Sequence, residues 1–466
     1  MNEYDIAVVG AGPGGYVAAL RAAQRGACVC LIEAGQVGGT CLNRGCIPTK
    51  ALYSTALLLR RIHGAAAHGI QVDPPRFDFA KAVARKDEVV QKLVGGIEQL
   101  LRAQGVDVYR GQASLAGEGR LRIRRPEVTA HLRAKNIILA TGSRSVRPQA
   151  FPVDGKNVLT SREILAIKEL PASLLVIGGG YIGCEFASIF AAFGTRVTVV
   201  EQLPTLLART DRHAVREVEK AFKEAGVSVR AATAVESLKV TDGLVRVGLS
   251  DGEELEVEKV LVAVGRVPNS AGLGLEQAGV RSDDKGAILV DEGMRTSQPG
   301  IFAIGDVTNI IQLAHVASYQ AGIAVTNAMG GDAKADYRVV PSAIFTLPEI
   351  GQVGLTEEDA KEQGIAVKIG RFAYQASGKA LCDGETQGLV KILAAADDDR
   401  ILGASCVGEE ASTLVAEAAA AMQAGMTAQA LGRTIHAHPT LPEMLMEAAE
   451  DVHGLAVHKA GRRRDR

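Results

Sequence analysis

The sequence predicts an α/β fold: two parallel-sheet units built on one plan, followed by a smaller α+β domain. Three observations carry this. A strand, glycine turn, helix, strand and terminal acid follow one another at residues 5–33, and the same succession returns at 174–201. Each unit is followed later by a buried strand ending in a further glycine turn. From residue 341 the pattern changes to paired apolar runs separated by turn residues, the mark of antiparallel strands.

In the first unit "DIAVVGAGPGG" (5–15) reads as a short buried strand running into a turn, "YVAALRAAQRG" (16–26) as a helix and "CVCLIE" (28–33) as a second strand. Gly10, Gly12 and Gly15 fit G-x-G-x-x-G, and Glu33 follows Gly15 by 18 residues. Glycines let the backbone turn tightly and approach a pyrophosphate at a helix N-terminus, where free N–H groups and the helix dipole favour anions. The acid can accept hydrogen bonds from a ribose diol. The second unit, "LLVIGGGYIGCEFASIFAAFGTRVTVVE" (174–201), repeats this with Gly178, Gly180 and Gly183, and Glu201 follows Gly183 by 18 residues. One such turn is weak evidence. Its recurrence at equal spacing predicts two Rossmann-like units and two dinucleotides. Later echoes are "NIILATGSR" (136–144) with Gly142, "KVLVAVGRVPN" (259–269) with Gly265, and "TSQPGIFAIGD" (296–306), a strand ending in Gly305 and Asp306. An aspartate there reads either as a helix cap or as a cofactor contact.

The expected organisation follows. Residues 1–145 and 270–340 form the first unit, with a helical insertion near 49–107, and residues 146–269 form the second, inserted into the first. Residues 341–466 form the C-terminal domain, where "IGQVGLTEEDAKEQG" and "GLVKILAAADDDRILGASCVG" suggest antiparallel strands and a helix. "ASTLVAEAAAAMQAGMTAQAL" reads as a helix suited to a core or to an oligomer interface, and the terminal "GRRRDR" as a solvated basic tail.

Composition narrows the function. With 52 Lys and Arg against 53 Asp and Glu, the net charge of −1 gives no reason to invoke nucleic acid or an anionic membrane. No signal peptide is read at the N-terminus, and the longest apolar run, "LVAEAAAAMQAGM", is short and holds Glu417. Seven scattered cysteines do not make a secreted disulfide framework, so a reducing cytoplasm is expected.

The cysteines of "GGTCLNRGCIPTK" (38–50), Cys41 and Cys46, therefore need another role. A zinc site lacks its second pair of ligands, since the next histidine, His63, lies on a predicted amphipathic helix; no metal is expected. A structural staple conflicts with the compartment. A redox dithiol remains. Residues five apart in a regular helix cannot form a disulfide, but Gly45 and Pro48 can distort the first turns enough to bring them together. A helix N-terminus also stabilises a thiolate.

"GGTCLNRGCIPTK", the paired glycine motifs, "TSQPGIFAIGD" and "HAHPTLPE" (436–443) together resemble the flavoprotein disulfide reductases, the class I pyridine nucleotide-disulfide oxidoreductases. The match runs from about residue 4 to 458 and is strongest to the dihydrolipoamide dehydrogenases. That resemblance implies FAD at the first unit, held by Gly10, Gly12, Gly15, Glu33 and Asp306, and NAD at the second, at Gly178, Gly180, Gly183 and Glu201. Gly142, Gly265 and Glu185 join the cofactor-binding set. Lys50 would sit near the flavin and pair with Glu185. Taken bare, these two read as a surface lysine and a first-turn acid. Cys46 would face the flavin and Cys41 would exchange with substrate. His438, otherwise a turn residue before a proline, would be the acid–base, oriented by Glu443.

The implied reaction is oxidation of protein-bound dihydrolipoyl groups by NAD in a twofold homodimer. Its partners would be a lipoyl-bearing acyltransferase (E2) core or the glycine cleavage H protein. Among the alternatives, glutathione reductases use NADP and carry basic residues where Glu201 stands. Mercuric reductases are expected to end in a cysteine pair, and this chain ends in "GRRRDR". His436 favours the lipoamide enzymes. A FAD-dependent NADH oxidase or transhydrogenase would not need both cysteines, and a non-catalytic scaffold would not need the site residues. The segment "QLAHVASYQAG" (312–322) keeps the family's leucine-alanine-histidine but departs from its commoner continuation.

Overall fold

The computed structural model describes residues 2–73, 76–125 and 128–459. The basic tail at 461–466 lies outside the described residues.

The first unit is a parallel sheet in the spatial order Asp107–Arg110, Val29–Glu33, Asn2–Val9, Thr129–Leu139, with Ile301–Ala303 paired to the end of the long strand Thr129–Leu139. Two antiparallel strands, Arg120–Arg124 and Gln112–Leu115, extend it. The second unit is a parallel sheet in the order Ser228–Arg230, Arg196–Val200, Ser173–Ile177, Lys259–Val262, Val158–Leu159. Its central strand is buried on every residue, which is why it reads as an unbroken apolar run. The two sheets share one plan with one difference: the outermost strand beside the fourth comes late in the chain in the first unit and ahead of the glycine motif in the second. The short strands Ser143–Ser145 and Arg266–Pro268 pair antiparallel where the chain leaves the first unit and where it returns.

Helix α1 (Pro13–Gln24) starts at a proline, whose missing N–H costs nothing there, and buries Ala18, Ala19 and Ala22. Small side chains let the helix lie close to its neighbours. Helices α2 (Gly39–Arg44) and α3 (Cys46–Gly64) follow, and α4 (Phe79–Ala103) packs against α3; these are the helical insertion. In the second unit α5 (Tyr181–Ala192) follows the glycine turn, and α6 (Arg212–Glu224) is N-capped by Asp211. Helix α7 (Ala314–Ala328) returns to pack on α1. The echo at 296–306 is strand only over Ile301–Ala303, because Gly305, at φ +72°, turns the chain into a 3₁₀ turn.

The C-terminal region is an antiparallel five-stranded sheet in the order Ser342–Ile344, Glu349–Gly354, Ile401–Gly408, Leu389–Ala395, Val367–Ala373. Helices α8 (Ala411–Gln423) and α9 (Glu443–Asp451) cover it. The apolar side of α8 that could have served as core or interface buries Leu414, Val415, Ala418 and Ala421 in this chain's own core. No described helix is long and apolar enough to cross a membrane.

Candidate active site

The two glycine turns are built alike. Gly10 sits at φ +100°, where a Cβ would lie 2.3 Å from the carbonyl oxygen of Ala140; Gly178 sits at φ +105°, where it would lie 2.6 Å from that of Ala263. Only glycine fits at either place. Gly15 and Gly183 pack beneath their turns, and a Cβ on them would fall 1.8 Å from Gly10 O and 2.0 Å from Gly178 O. They let helix and strand meet, while Gly12 and Gly180 leave space open above the helix N-termini. The prediction is direct: Gly15→Ala must displace backbone, costs roughly 1–3 kcal/mol of stability, and yields protein depleted of bound flavin, read from the ratio of visible to protein absorbance.

Each turn is locked by its acid. Glu33 accepts hydrogen bonds from Ala11 N (2.7 Å) and Gly35 N (2.6 Å), and Glu201 from Gly179 N (2.6 Å) and Leu203 N (2.8 Å). Both acids are therefore held at the strand end with their oxygens fixed. A single cavity of about 1780 Å³ joins the two cradles, and its wall includes Gly10, Gly12, Glu33, Gly142, Gly178, Gly180, Glu201, Gly265 and Asp306. That exceeds the roughly 300–1,000 Å³ of a site for one small ligand, and fits two extended dinucleotides. Gly15 and Gly183 support this wall from below.

The cysteine pair lies on the same wall. Gly39, at φ +58°, approaches the first turn so closely that a Cβ would lie 2.6 Å from Gly12 Cα, and Gly38 N donates to Ala11 O (2.8 Å). This docks α2, with Cys41, onto the dinucleotide turn. A clean break replaces the distorted helix expected from sequence: Gly45, at φ −146° and ψ −112°, ends α2, and Cys46 is the first residue of α3. Both residues are free thiols in this structure, hydrogen-bonded to each other. The bond from Cys41 and the charge of Lys50 outweigh burial and bring the Cys46 thiol down to about 7. Holding the proton in that bond, together with burial, pushes the Cys41 thiol far up. Of the two, Cys46 is therefore the more readily ionised thiol.

Lys50, one turn into α3, donates to both oxygens of Glu185 (2.7 and 2.8 Å). Glu185 also accepts from Phe345 N (3.0 Å), and the Lys50 ammonium stands 4.5 Å from the centre of the Phe345 ring. One ion pair so ties the insertion, the second unit and the C-terminal region. Glu185 is the fifth residue of α5, beyond the first turn, so the helix-dipole reading is replaced by a partly buried ion pair.

Two residues not singled out from sequence stand beside Asp306. Ser143 donates to the Asp306 carboxylate, and Arg266 donates to Ser143 Oγ and Ser143 O, both at 2.8 Å. Burial depresses the Arg266 guanidinium, and Asp306 opposes that. The signal was present: each follows its echo glycine, Gly142 or Gly265, by one position. Asn43, also missed, bridges Val37 O (3.0 Å) and Gly39 O (2.9 Å) beneath the cysteines.

His438 and Glu443 do not line this cavity. His438 Nδ1 meets Glu443 Oε1 at 2.9 Å, and Glu443 Oε2 accepts from Thr440 N (2.8 Å). Burial would raise the Glu443 carboxyl, but these bonds more than offset it and hold it low. The His438 side chain is 79% exposed, whereas His436 is 6% exposed and held by Glu417 (2.8 Å) and Thr434 O (2.8 Å). Of the two histidines, His438 is the one open to solvent.

Comparison with known proteins agrees. The family model for pyridine nucleotide-disulphide oxidoreductases matches residues 4–321, and that for the dimerisation domain of the same family matches 340–449. The chain is 44% identical to the dihydrolipoyl dehydrogenase of Thermus scotoductus, covering 98% of this chain and 99% of that one. It is 42% identical to the dihydrolipoyl dehydrogenase of Staphylococcus aureus, covering 98% of each. Among solved structures it is similar to LpdA from Mycobacterium tuberculosis (TM-score 0.91, 29% identity, 97% of this chain and 99% of that one). It is also similar to the Cu(II) complex of RclA, the HOCl-induced flavoprotein disulfide reductase of Escherichia coli (TM-score 0.88, 32% identity, the same coverage). With both nucleotide cradles, the cysteine pair and the C-terminal sheet accounted for over nearly its whole length, this chain belongs to the pyridine nucleotide-disulphide oxidoreductase family, whose members work with FAD and NAD(H).

Proposed function

We propose that this protein is an NAD-dependent dihydrolipoyl dehydrogenase. It acts in the cytoplasm as a homodimer on lipoyl groups carried by an acyltransferase core or a glycine cleavage H protein. The observation that carries the reading is the Cys41–Cys46 dithiol, with Cys46 its more readily ionised member, on the wall that joins two dinucleotide cradles. In this reading residues 1–145 and 270–340 hold FAD through Gly10, Gly12, Glu33, Gly142 and Asp306. Residues 146–269 hold NAD through Gly178, Gly180, Glu201 and Gly265, and residues 341–466 form the dimer.

The chain's part in the reaction starts from the Cys41–Cys46 disulfide. His438, fixed through Nδ1 by Glu443, takes the proton of one substrate thiol at Nε2. The resulting thiolate attacks Cys41 Sγ. A mixed disulfide forms, the Cys41–Cys46 bond breaks, and Cys46 leaves as a thiolate facing the Lys50 ammonium. The second substrate thiol attacks the substrate sulfur of the mixed disulfide and its proton passes to the departing Cys41. Cys41 leaves as a thiol, the first proton stays on His438 for release to solvent, and the substrate leaves as a cyclic disulfide. The chain now holds a Cys41 thiol and a Cys46 thiolate, the order in which the raised Cys41 and lowered Cys46 pKa values would ionise the pair. FAD, which Gly10, Gly12, Glu33 and Asp306 would hold, would supply the redox chemistry linking the dithiol's electron pair to NAD.

The test is NADH formation from dihydrolipoamide, with NADP and glutathione as controls. Glu201 sharpens it. Its fixed carboxylate accepts hydrogen bonds from a 2′-hydroxyl and repels a 2′-phosphate. kcat/KM with NAD should exceed that with NADP by about 10²-fold or more, and a preference for NADP would overturn the assignment.

A further inference from the structure

Asp211, His213 and Glu357 place three oxygen and nitrogen donors within 4.8 Å of one another, the grouping of a metal site. The centre is already filled. Lys391, fully buried in the strand Leu389–Ala395, donates its three ammonium protons to Asp211 Oδ2 (2.6 Å), His213 Nδ1 (2.8 Å) and Glu357 Oε1 (2.5 Å). An ammonium has three donors, and all are used. His213 must accept through Nδ1, and burial and the Lys391 charge hold its pKa below the usual histidine value. Arg371 supplies a second cation to Glu357 (2.5 Å).

This cluster crosses from the C-terminal sheet to the second nucleotide unit. Asp211 caps α6, accepting from His213 N (2.9 Å), and its own N–H donates to Gln352 Oε1 (2.9 Å). Gln352 donates back to Arg209 O (3.4 Å). Arg209 closes the loop whose members Leu203, Thr205, Leu207 and Ala208 line the cavity beside Glu201. The loop is anchored on the glycine turn by Leu207 N to Gly179 O (2.9 Å), with Leu207 at φ +48°. The loop is thus held by the glycine turn at Leu207 and, two residues on, by the ammonium cluster at Arg209.

We infer that Lys391 is a positioning residue for the pyridine-nucleotide site: its buried ammonium clamps the Asp211 cap, and through Gln352 it fixes the loop at 203–209 against the nucleotide. The inference rests on the second unit being the NAD site. Removing the ammonium takes away the one donor shared by all three groups, leaving Arg371 on Glu357 and only backbone N–H groups on the buried Asp211, so the cap moves away from the sheet. Nucleotide binding then loses its preformed wall, while the cysteines and the first cradle are untouched.

The experiment uses the FAD-loaded dimer. Lys391→Met keeps the apolar stem and removes the charge. Expected are NADH binding about tenfold weaker or more by fluorescence titration and a KM for NAD raised in proportion. Flavin content and the rate of flavin reduction by dihydrolipoamide without nucleotide should stay at wild-type values. A general structural defect would instead depress both half-reactions and flavin content, and that result, or unchanged NADH binding, overturns the inference. Should Lys391→Met not fold, Gln352→Ala decides, by severing the link outside the cluster: weaker NADH binding supports the clamp and unaltered binding overturns it. Failure of the wild-type protein to bind NADH would overturn the underlying site assignment instead.

Discussion

Cys46→Ser is expected to reduce dihydrolipoamide turnover by at least about 10³-fold, and Cys41→Ser to do the same for a different reason. With Cys46 gone, no thiolate faces the Lys50 ammonium. With Cys41 gone, Cys46 remains as a thiolate that no partner can oxidise. The two variants separate in two measurements. Reduced wild-type protein should be alkylated at Cys46 with a pH midpoint of about 7, set by the bond from Cys41 and the charge of Lys50, while the Cys41 thiol stays unreactive. In the flavin-loaded protein, Cys41→Ser should show without reductant the long-wavelength absorbance of a thiolate lying against oxidised flavin, and Cys46→Ser should lack it even when reduced. The reverse pattern would exchange the roles of the two cysteines.

His438→Ala should cost about 10²–10⁴-fold in turnover, and the loss should be repairable by another chain. His438 is highly exposed and absent from the wall that carries Cys41 and Cys46. A twofold dimer would bring it to the partner's dithiol. When the His438→Ala and Cys46→Ala proteins are refolded together, half the dimers are mixed. Each mixed dimer has one site with both residues and one with neither, so about a quarter of all sites should recover. If His438 serves its own chain, every site carries one lesion and the mixture stays inactive. Heterodimers confirmed by two different tags but without activity would exclude the shared site.

The residues that were legible in the sequence are those whose chemistry depends on local spacing. Gly10 with Gly15, and Gly178 with Gly183, announce their turns because each pair must admit backbone within a few residues. Glu33 and Glu201 follow because a strand of fixed length must end at the turn. The broken helix between Cys41 and Cys46 was read as a distortion, since a glycine and a proline near a helix start permit either outcome, and the approach of Gly39 to Gly12 decides it. Asp306 and the echo glycines before Ser143 and Arg266 are written locally, but the meeting of Ser143 with Arg266 and with Asp306, across 123 and 163 residues, is not. The Lys391 cluster was invisible for the same reason: one lysine in the apolar run LVKILAA gives no sign of its partners, and only the arrival of Asp211 and Glu357 explains its burial.

The paired strands Ser143–Ser145 and Arg266–Pro268 have an evolutionary consequence. The second nucleotide unit enters and leaves the protein through neighbouring strands, so its two ends lie side by side, the geometry in which an inserted module can be exchanged whole. Its sheet shares no strand with the first. A lineage could therefore replace the electron acceptor by recombination at these two points, leaving the dithiol and the flavin cradle intact. The ties such a graft must reproduce include two ion pairs, Glu185 with Lys50 and Asp211 with Lys391, and the apolar core in which Leu52 and Phe79 of the insertion meet Phe186 and Phe190.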